Sequence, residues 1–279
     1  MRFDKTDLIA IGIIIVGAII WPTFKNNNNQ ENSENLTDVD TAIAIAACEE
    51  EPILESAIEE TTEEVTTEET EEKETEGEKS PTIGGKEYVD LGLPSETKWA
   101  TCNVGASKPY ECGYYFAWGE TRQKKDYQWD TYKYISNDTI TKYSTDRKHK
   151  NKDNKWFLEK IDDAANYNWG GSWWTPTIND YEELFENCDW YWVYNYQNSQ
   201  MSGLLGKSQK NKKKIFFPAA GCKFRTETPN LDIVGHYWTS NKGKEDQDAK
   251  CIELTYTEGM NTLVTNERYY GYTIRAVWK

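Results

Sequence analysis

Six cysteines, two histidines and two adjacent pairs of acids are the residues of this chain best suited to covalent or acid–base chemistry, and their spacing argues against most of it. Cys48, Cys102, Cys112, Cys188, Cys222 and Cys251 contain no CxxC pair, and only His149 and His236 could join them as ligands. A structural zinc site needs closely paired ligands of these types, so no metal and no cofactor is expected. Five of the cysteines lie in the C-terminal part and cannot all pair with one another, which leaves one or two disulfides or a set of buried free thiols. Asp162/Asp163 and Glu182/Glu183 are sequence neighbours, which diverge on a helix instead of flanking a substrate. His236 precedes Tyr237-Trp238 in a predicted strand, with no serine or cysteine placed as its nucleophile. No catalytic residue is assigned, and the chain reads as a non-enzyme.

Recognition is the better-supported chemistry. Eleven of the 12 Trp and all 18 Tyr fall in residues 81–279, and these side chains combine large apolar faces with a polar tip. Tyr191, Tyr194, Tyr196, Tyr269, Tyr270 and Tyr272 cluster towards predicted strand ends and loops, where they would suit stacking on a sugar or packing against a protein. The competing use for them is to fill the faces of sheets. Arg275, on the last predicted strand, is expected to be a buried hydrogen-bonding residue. Basic loops at 147–155 and 207–214 are interleaved with Asn, Asp, Ser and Gln and read as solvated, so no nucleic acid partner is expected.

Charge divides the chain. Residues 1–80 hold 5 Lys+Arg and 21 Asp+Glu, a balance of −16, whereas 81–279 come to +1. The acidity therefore belongs to the N-terminal segment and says nothing of the surface of the rest. Residues 1–25 contain an uninterrupted apolar run from 8 to 21, extended by Pro22, Thr23 and Phe24 to about 17 residues, the short end of what spans a bilayer. No small-residue cleavage site follows it promptly, so a transmembrane helix anchoring the chain is expected. Arg2 and Lys5 precede the run, which would place the C-terminal domain outside the cytoplasm, membrane-anchored or at the cell surface. Residues 26–80 are Asn-rich and then Glu/Thr-rich, with 15 Glu between Glu49 and Lys79. Such a segment buries too little apolar surface to offset its ordering entropy and is expected to be a disordered stalk.

The elements that must position the aromatic residues begin after the turn-forming residues 81–85. Strands are predicted at 87–91, 98–103, 113–118, 190–196, 201–206, 215–217, 237–240, 249–256, 262–266 and 272–278, with a short helix within 157–167. The clearest element is a helix beginning after Thr177. Thr177 can cap it, Asp180 stands three residues on, and Tyr181, Leu184, Phe185 and Cys188 recur at i, i+3, i+4 and i+7. An α+β domain of mostly short antiparallel strands with one main helix follows. Between Asn168 and Trp174 the tryptophans and Gly170-Gly171 are expected to hold the scaffold together.

With these residues in place, 81–279 resembles the Fibrobacter succinogenes major paralogous domain family, found in exported proteins of Bacteroidetes-type bacteria. The resemblance is carried by Tyr88-Val89-Asp90-Leu91-Gly92-Leu93-Pro94-Ser95, Lys98-Trp99-Ala100-Thr101-Cys102-Asn103-Val104-Gly105 and Tyr115-Phe116-Ala117-Trp118-Gly119-Glu120. It continues through 168–177, Phe217-Pro218-Ala219-Ala220-Gly221, Tyr237-Trp238-Thr239-Ser240 and Tyr269-Tyr270-Gly271-Tyr272-Thr273-Ile274-Arg275. The resemblance implies a mixed fold of the C-type-lectin-like and formylglycine-generating-enzyme-like kind, with loops that present a ligand surface. Fold alone does not fix function. A copper oxidase of that second kind would need Cys222 and Cys251 as its pair. A calcium lectin would need an acidic-Pro-Asn loop, which Glu227-Thr228-Pro229-Asn230 does not supply. The expectation is a surface-exposed binding or adhesion module for a glycan or cell-surface protein, with the oxidase relative and a structural component of a surface appendage as alternatives.

Overall fold

A computed structural model describes residues 80–146, 152–257 and 261–279. The anchor expected in 1–25 and all but the last residue of the stalk expected in 26–80 lie outside the described residues. Among the described residues no helix is long and apolar enough to cross a membrane.

The strands in chain order are β1 (Thr82–Ile83), β2 (Lys86–Val89), β3 (Lys98–Ala100), β4 (Ile135–Ser136), β5 (Thr139–Ile140), β6 (Trp173–Trp174), β7 (Cys188–Val193), β8 (Gly203–Ser208), β9 (Lys214–Pro218), β10 (Gly235–Lys242), β11 (Asp248–Leu254), β12 (Asn261–Glu267) and β13 (Val277–Trp278). Two helices interrupt them, α1 (Ala164–Trp169) and α2 (Ile178–Glu186). They form sheets ordered β1-β2-β3-β13-β6, β7-β8-β9 and β10-β11-β12, with β4-β5 as a separate hairpin, and all named strand pairs are antiparallel. The architecture is the sheet-rich α+β class that the strand spacing predicts.

Alternation of side chains along a strand explains why β3, β10 and β11 have apolar residues at successive positions. Ala100, Trp238, Ala249 and Cys251 enter one core with Trp118 and Trp173. Trp99, Tyr237, Ile252 and Leu254 enter a second, with Tyr181, Leu184 and Phe217. Both faces of these strands are therefore buried, the condition under which a strand reads as a continuous apolar run. At Gly203 a side chain is excluded outright, because a Cβ there would stand 2.2 Å from the Phe217 carbonyl oxygen.

α2 forms as its local signals require. Thr177 Oγ1 accepts from the Asp180 amide at 3.2 Å while the Asp180 carboxylate accepts from the Thr177 amide at 2.6 Å, a reciprocal cap that satisfies two otherwise unpaired donors. Tyr181 and Leu184 are buried beneath it. Thr177→Ala is expected to cost about 1 kcal/mol, read as a lower urea midpoint at constant m-value. The helix ends at Glu186, and the aromatic run that follows belongs to β7.

Two predicted strands are not ladders. Residues 113–118 send their backbone hydrogen bonds to separate segments: Tyr114 N–H to Val104, Phe116 N–H to Tyr272 and Trp118 N–H to Arg268. Their tie to β10 runs through indoles, Trp118 Nε1 donating to the Thr239 carbonyl at 2.8 Å and Trp238 Nε1 to the Phe116 carbonyl at 2.7 Å. Of 272–278 only Val277 and Trp278 form a strand, while Tyr272 and Thr273 make single bridges. The short helical segment expected within 157–167 is a 3-10 turn at Lys160–Asp162 leading into α1.

Candidate functional site

The six tyrosines divide into two groups. Tyr269, Tyr270 and Tyr272 are 8%, 7% and 3% exposed and correct the expectation that they are displayed. They form an internal stack, with ring centroids 4.6 Å apart for Tyr269–Tyr270 and 5.9 Å for Tyr270–Tyr272. Tyr272 then lies 4.3 Å from Trp238 and 4.7 Å from His236. Burial raises the hydroxyl pKa of all three. Their segment runs among others, bridging Lys223 through Gly271, Phe116 through Tyr272 and Tyr237 through Thr273, and the three rings are enclosed in the first core.

Tyr191 and Tyr194 are 53% and 68% exposed. β7 is an edge strand, and its register with β8 sets Tyr191 opposite Leu205. Trp190 and Trp192 alternate with Tyr191 and pack against the second core, so Tyr191 faces outwards. Tyr196 lies on this outer face with its ring flat on Phe216, 3.9 Å between centroids and 8° between planes, which shields Phe216 from solvent. Tyr194 closes on the other side of the strand, edge to face with Trp192 at 6.5 Å, and Trp192 meets Tyr256 at 6.4 Å. Tyr256 is 47% exposed. Trp192 and Tyr256 join this group as candidates that sequence reasoning misses. The alternation within β7 identifies Trp192 as its neighbour's opposite, but nothing local brings Tyr256 to it.

The result is an aromatic rim around the free edge of β7: two exposed phenol rings set about a half-buried indole on one side, and Tyr191 on the other. Planar faces with hydroxyl tips can stack on the apolar face of a sugar ring while hydrogen-bonding its hydroxyls, or pack against a partner's apolar side chains.

A concave site lies elsewhere. A cleft of about 750 Å³ runs between Trp129, Ile135 and Ile140 on one side and Thr145, Asp146 and residues 244–247 on the other, a volume within the range of small-ligand sites. Its wall is rigidly built. The Lys242 ammonium, fully buried, donates to the carbonyls of Gly243, Lys244 and Glu245 at 3.1–3.2 Å and pairs with the Asp246 carboxylate at 3.0 Å. Asp246 accepts in turn from Thr145 N–H at 2.8 Å and from Ser144 Oγ. These donors hold its carboxyl well below the usual carboxylate range in spite of burial.

The remaining candidates occupy structural positions. The five described cysteines are free thiols. Cys222 and Cys251 both line the first core, and burial pushes the Cys222 thiol up to about 11 and the Cys251 thiol higher still. His236 stacks on Tyr272 and meets Glu253 through Nε2 at 3.2 Å, which lowers the Glu253 pKa. Asp163 caps α1 by accepting from Asn166 N–H, Asp162 accepts from Tyr134, Tyr143 and two lysines, and Glu182 is exposed on α2. Glu183 accepts from Ser95 N–H at 2.8 Å. Arg275 is wholly buried, as expected from the sequence, although it precedes β13 instead of lying on it.

In comparisons with known protein families, curated proteins and solved structures, nothing matches this chain. The described residues form a sheet-rich α+β domain with an exposed aromatic rim and a sizeable cleft beside Trp129.

Proposed function

We propose that this chain is a membrane-anchored, surface-displayed binding module, in which an acidic stalk carries a C-type-lectin-like head of the Fibrobacter succinogenes major paralogous kind that recognises a glycan or a cell-surface protein without catalysis. The observation that carries the reading is the aromatic rim: Tyr194 and Tyr256, both exposed, flank Trp192 on an edge strand. Large exposed aromatic side chains grouped on one edge are a feature of recognition surfaces. The family part of the proposal is supported by where its motifs fall, since Trp99, Trp118, Trp173, Trp238 and Arg275 are all buried scaffold residues. The oxidase alternative finds less support, because Cys222 and Cys251 are buried and their sulfurs meet different groups, the Pro229 carbonyl at 4.0 Å and Asn266 Nδ2 at 3.4 Å.

The test is binding of the purified chain to glycan and surface-protein panels, repeated with Tyr194→Ala and Tyr256→Ala. Each substitution should weaken binding about tenfold, the effect of losing a modest hot-spot residue, with thermal stability nearly unchanged because both rings are exposed. Tyr191→Ala reports whether the ligand wraps the strand edge. A second reading, favoured by the volume of the cleft, places a single ligand residue against Trp129. Trp129→Ala abolishing binding while both tyrosine variants bind normally would move the site there and overturn the rim.

A further inference from the structure

The sheet β10-β11-β12 ends in an edge with few of the devices that keep such edges apart. β12 pairs with β11 through seven consecutive residues in unbroken register, and it is the terminal strand of its sheet. β12 ends at Glu267, and the six residues before it, Asn261-Thr262-Leu263-Val264-Thr265-Asn266, contain no proline, glycine or charged residue, although natural edge strands are commonly blunted by lysine, proline, a bulge or a covering element. The β9 edge of the neighbouring sheet shows the contrast, beginning at Lys214 and ending at Pro218. Leu263 is exposed beside a hollow of about 240 Å³ under α2, floored by Ile178, Tyr181, Phe185 and Ile252 with Glu182 and Glu186 at its rim.

We propose that β12 is a self-association edge, on which a second copy of this chain adds its own β12 antiparallel, so that two three-stranded sheets become one six-stranded sheet across a two-fold axis. Two features identify the occupant as a copy of the same chain. The six residues are uncharged, so two copies set no like charges opposite one another along the edge, an arrangement that would oppose pairing. The register is also self-complementary. A two-fold axis through an antiparallel pair sets one residue opposite itself. With Leu263 on the axis, the two leucines meet beside their hollows, and Asn261 stands opposite Thr265 on the same face. Centring the axis on Val264 instead sets Leu263 against Thr265, apolar against polar. The proposal does not depend on the ligand surface at β7, which lies on a different sheet.

The experiment uses the full chain in detergent, with its mass followed by sedimentation and its register by cysteine cross-linking. Residues opposite one another in an antiparallel pair have Cα atoms about 4.5–5.5 Å apart, within disulfide range. Leu263→Cys should therefore cross-link to its own copy on mild oxidation, whereas Thr265→Cys and the unsubstituted chain should not. Leu263→Lys should weaken the dimer about tenfold or more by setting two ammonium groups face to face, and mixing it with Leu263→Glu should restore the dimer as a mixed pair. Cross-linking reads the contact even where the lysine variant folds poorly. A chain that stays monomeric, a Leu263→Cys protein that does not cross-link, or a dimer that Leu263→Lys leaves intact overturns the proposal.

Discussion

Asparagine in place of Asp246 should lower the stability of the C-terminal domain by about 3 kcal/mol at neutral pH, the low end of what is lost when one partner of a buried ion pair is removed. The side chains of Lys242 and Asp246 are 0% and 6% exposed. The amide keeps the shape of the carboxylate but leaves the ammonium with only neutral carbonyls, and it turns an NH₂ group towards donors that the carboxylate had accepted from, Ser144 Oγ and the amides of Thr145 and Asp146. For a domain of this length the loss corresponds to about 6–12 °C in Tm. The pH dependence has a definite sign. The folded carboxyl titrates below its unfolded value of about 3.9, so its contribution is fully present above that value and fades as pH falls below it towards the folded pKa. The gap in Tm between the unsubstituted protein and Asp246→Asn should therefore be constant from pH 7 to about 5 and close below about 4. A gap that widens on acidification would falsify the ion-pair account. Because Asp246 ties Ser144–Asp146 to the loop after β10, the same substitution also loosens the cleft beside Trp129.

The elements that the sequence makes legible are those whose signals are local. α2 is one: its cap, its acidic third residue and its i, i+3, i+4 face all lie within a dozen residues, and the folded helix uses each of them. β10 and β11 are legible as strands, but their division between two cores is not, because a strand buried on both faces loses the alternation that would reveal which side chain goes where. β7 retains it, and Tyr191 stands out as exposed between Trp190 and Trp192. The terminal tyrosines fail for the opposite reason. Tyr272 is held by single bridges instead of a ladder, so no period exists from which to read the side that faces inwards. The cleft is illegible for a third reason: the bond from Ser144 to Asp246 spans 102 positions, and neither residue carries a local sign of the other.

Methionine in place of Arg275 should cost about 4 kcal/mol, enough to threaten folding in a protein of ordinary stability. The guanidinium is wholly buried, and burial lowers its pKa. Its described hydrogen bonds go to neutral acceptors, with Nε donating to Asn103 Oδ1 at 2.9 Å and Nη1 to the carbonyls of Thr101 and Ala100 at 3.0 and 3.3 Å. It also lies over the ring of Phe217, 4.7 Å from the centroid. Exchanging a buried charge for an apolar residue can be neutral where every partner is exchanged with it. Here two of the partners are backbone carbonyls that no substitution can remove, and leaving three buried acceptors unmet costs about 1–3 kcal/mol each, only partly offset by relief of the buried charge. The consequence is positional: Ala100 and Thr101 continue from β3 and Phe217 sits on β9, so this one side chain joins two sheets that share no ladder. Arg275→Lys should recover only part of the loss, since a single ammonium cannot reproduce the fork that reaches Asn103 and both carbonyls at once. Urea unfolding of the three proteins at one pH checks the order Arg, Lys, Met. A methionine variant within about 1 kcal/mol of the parent would mean that contacts other than Arg275 hold the two sheets together.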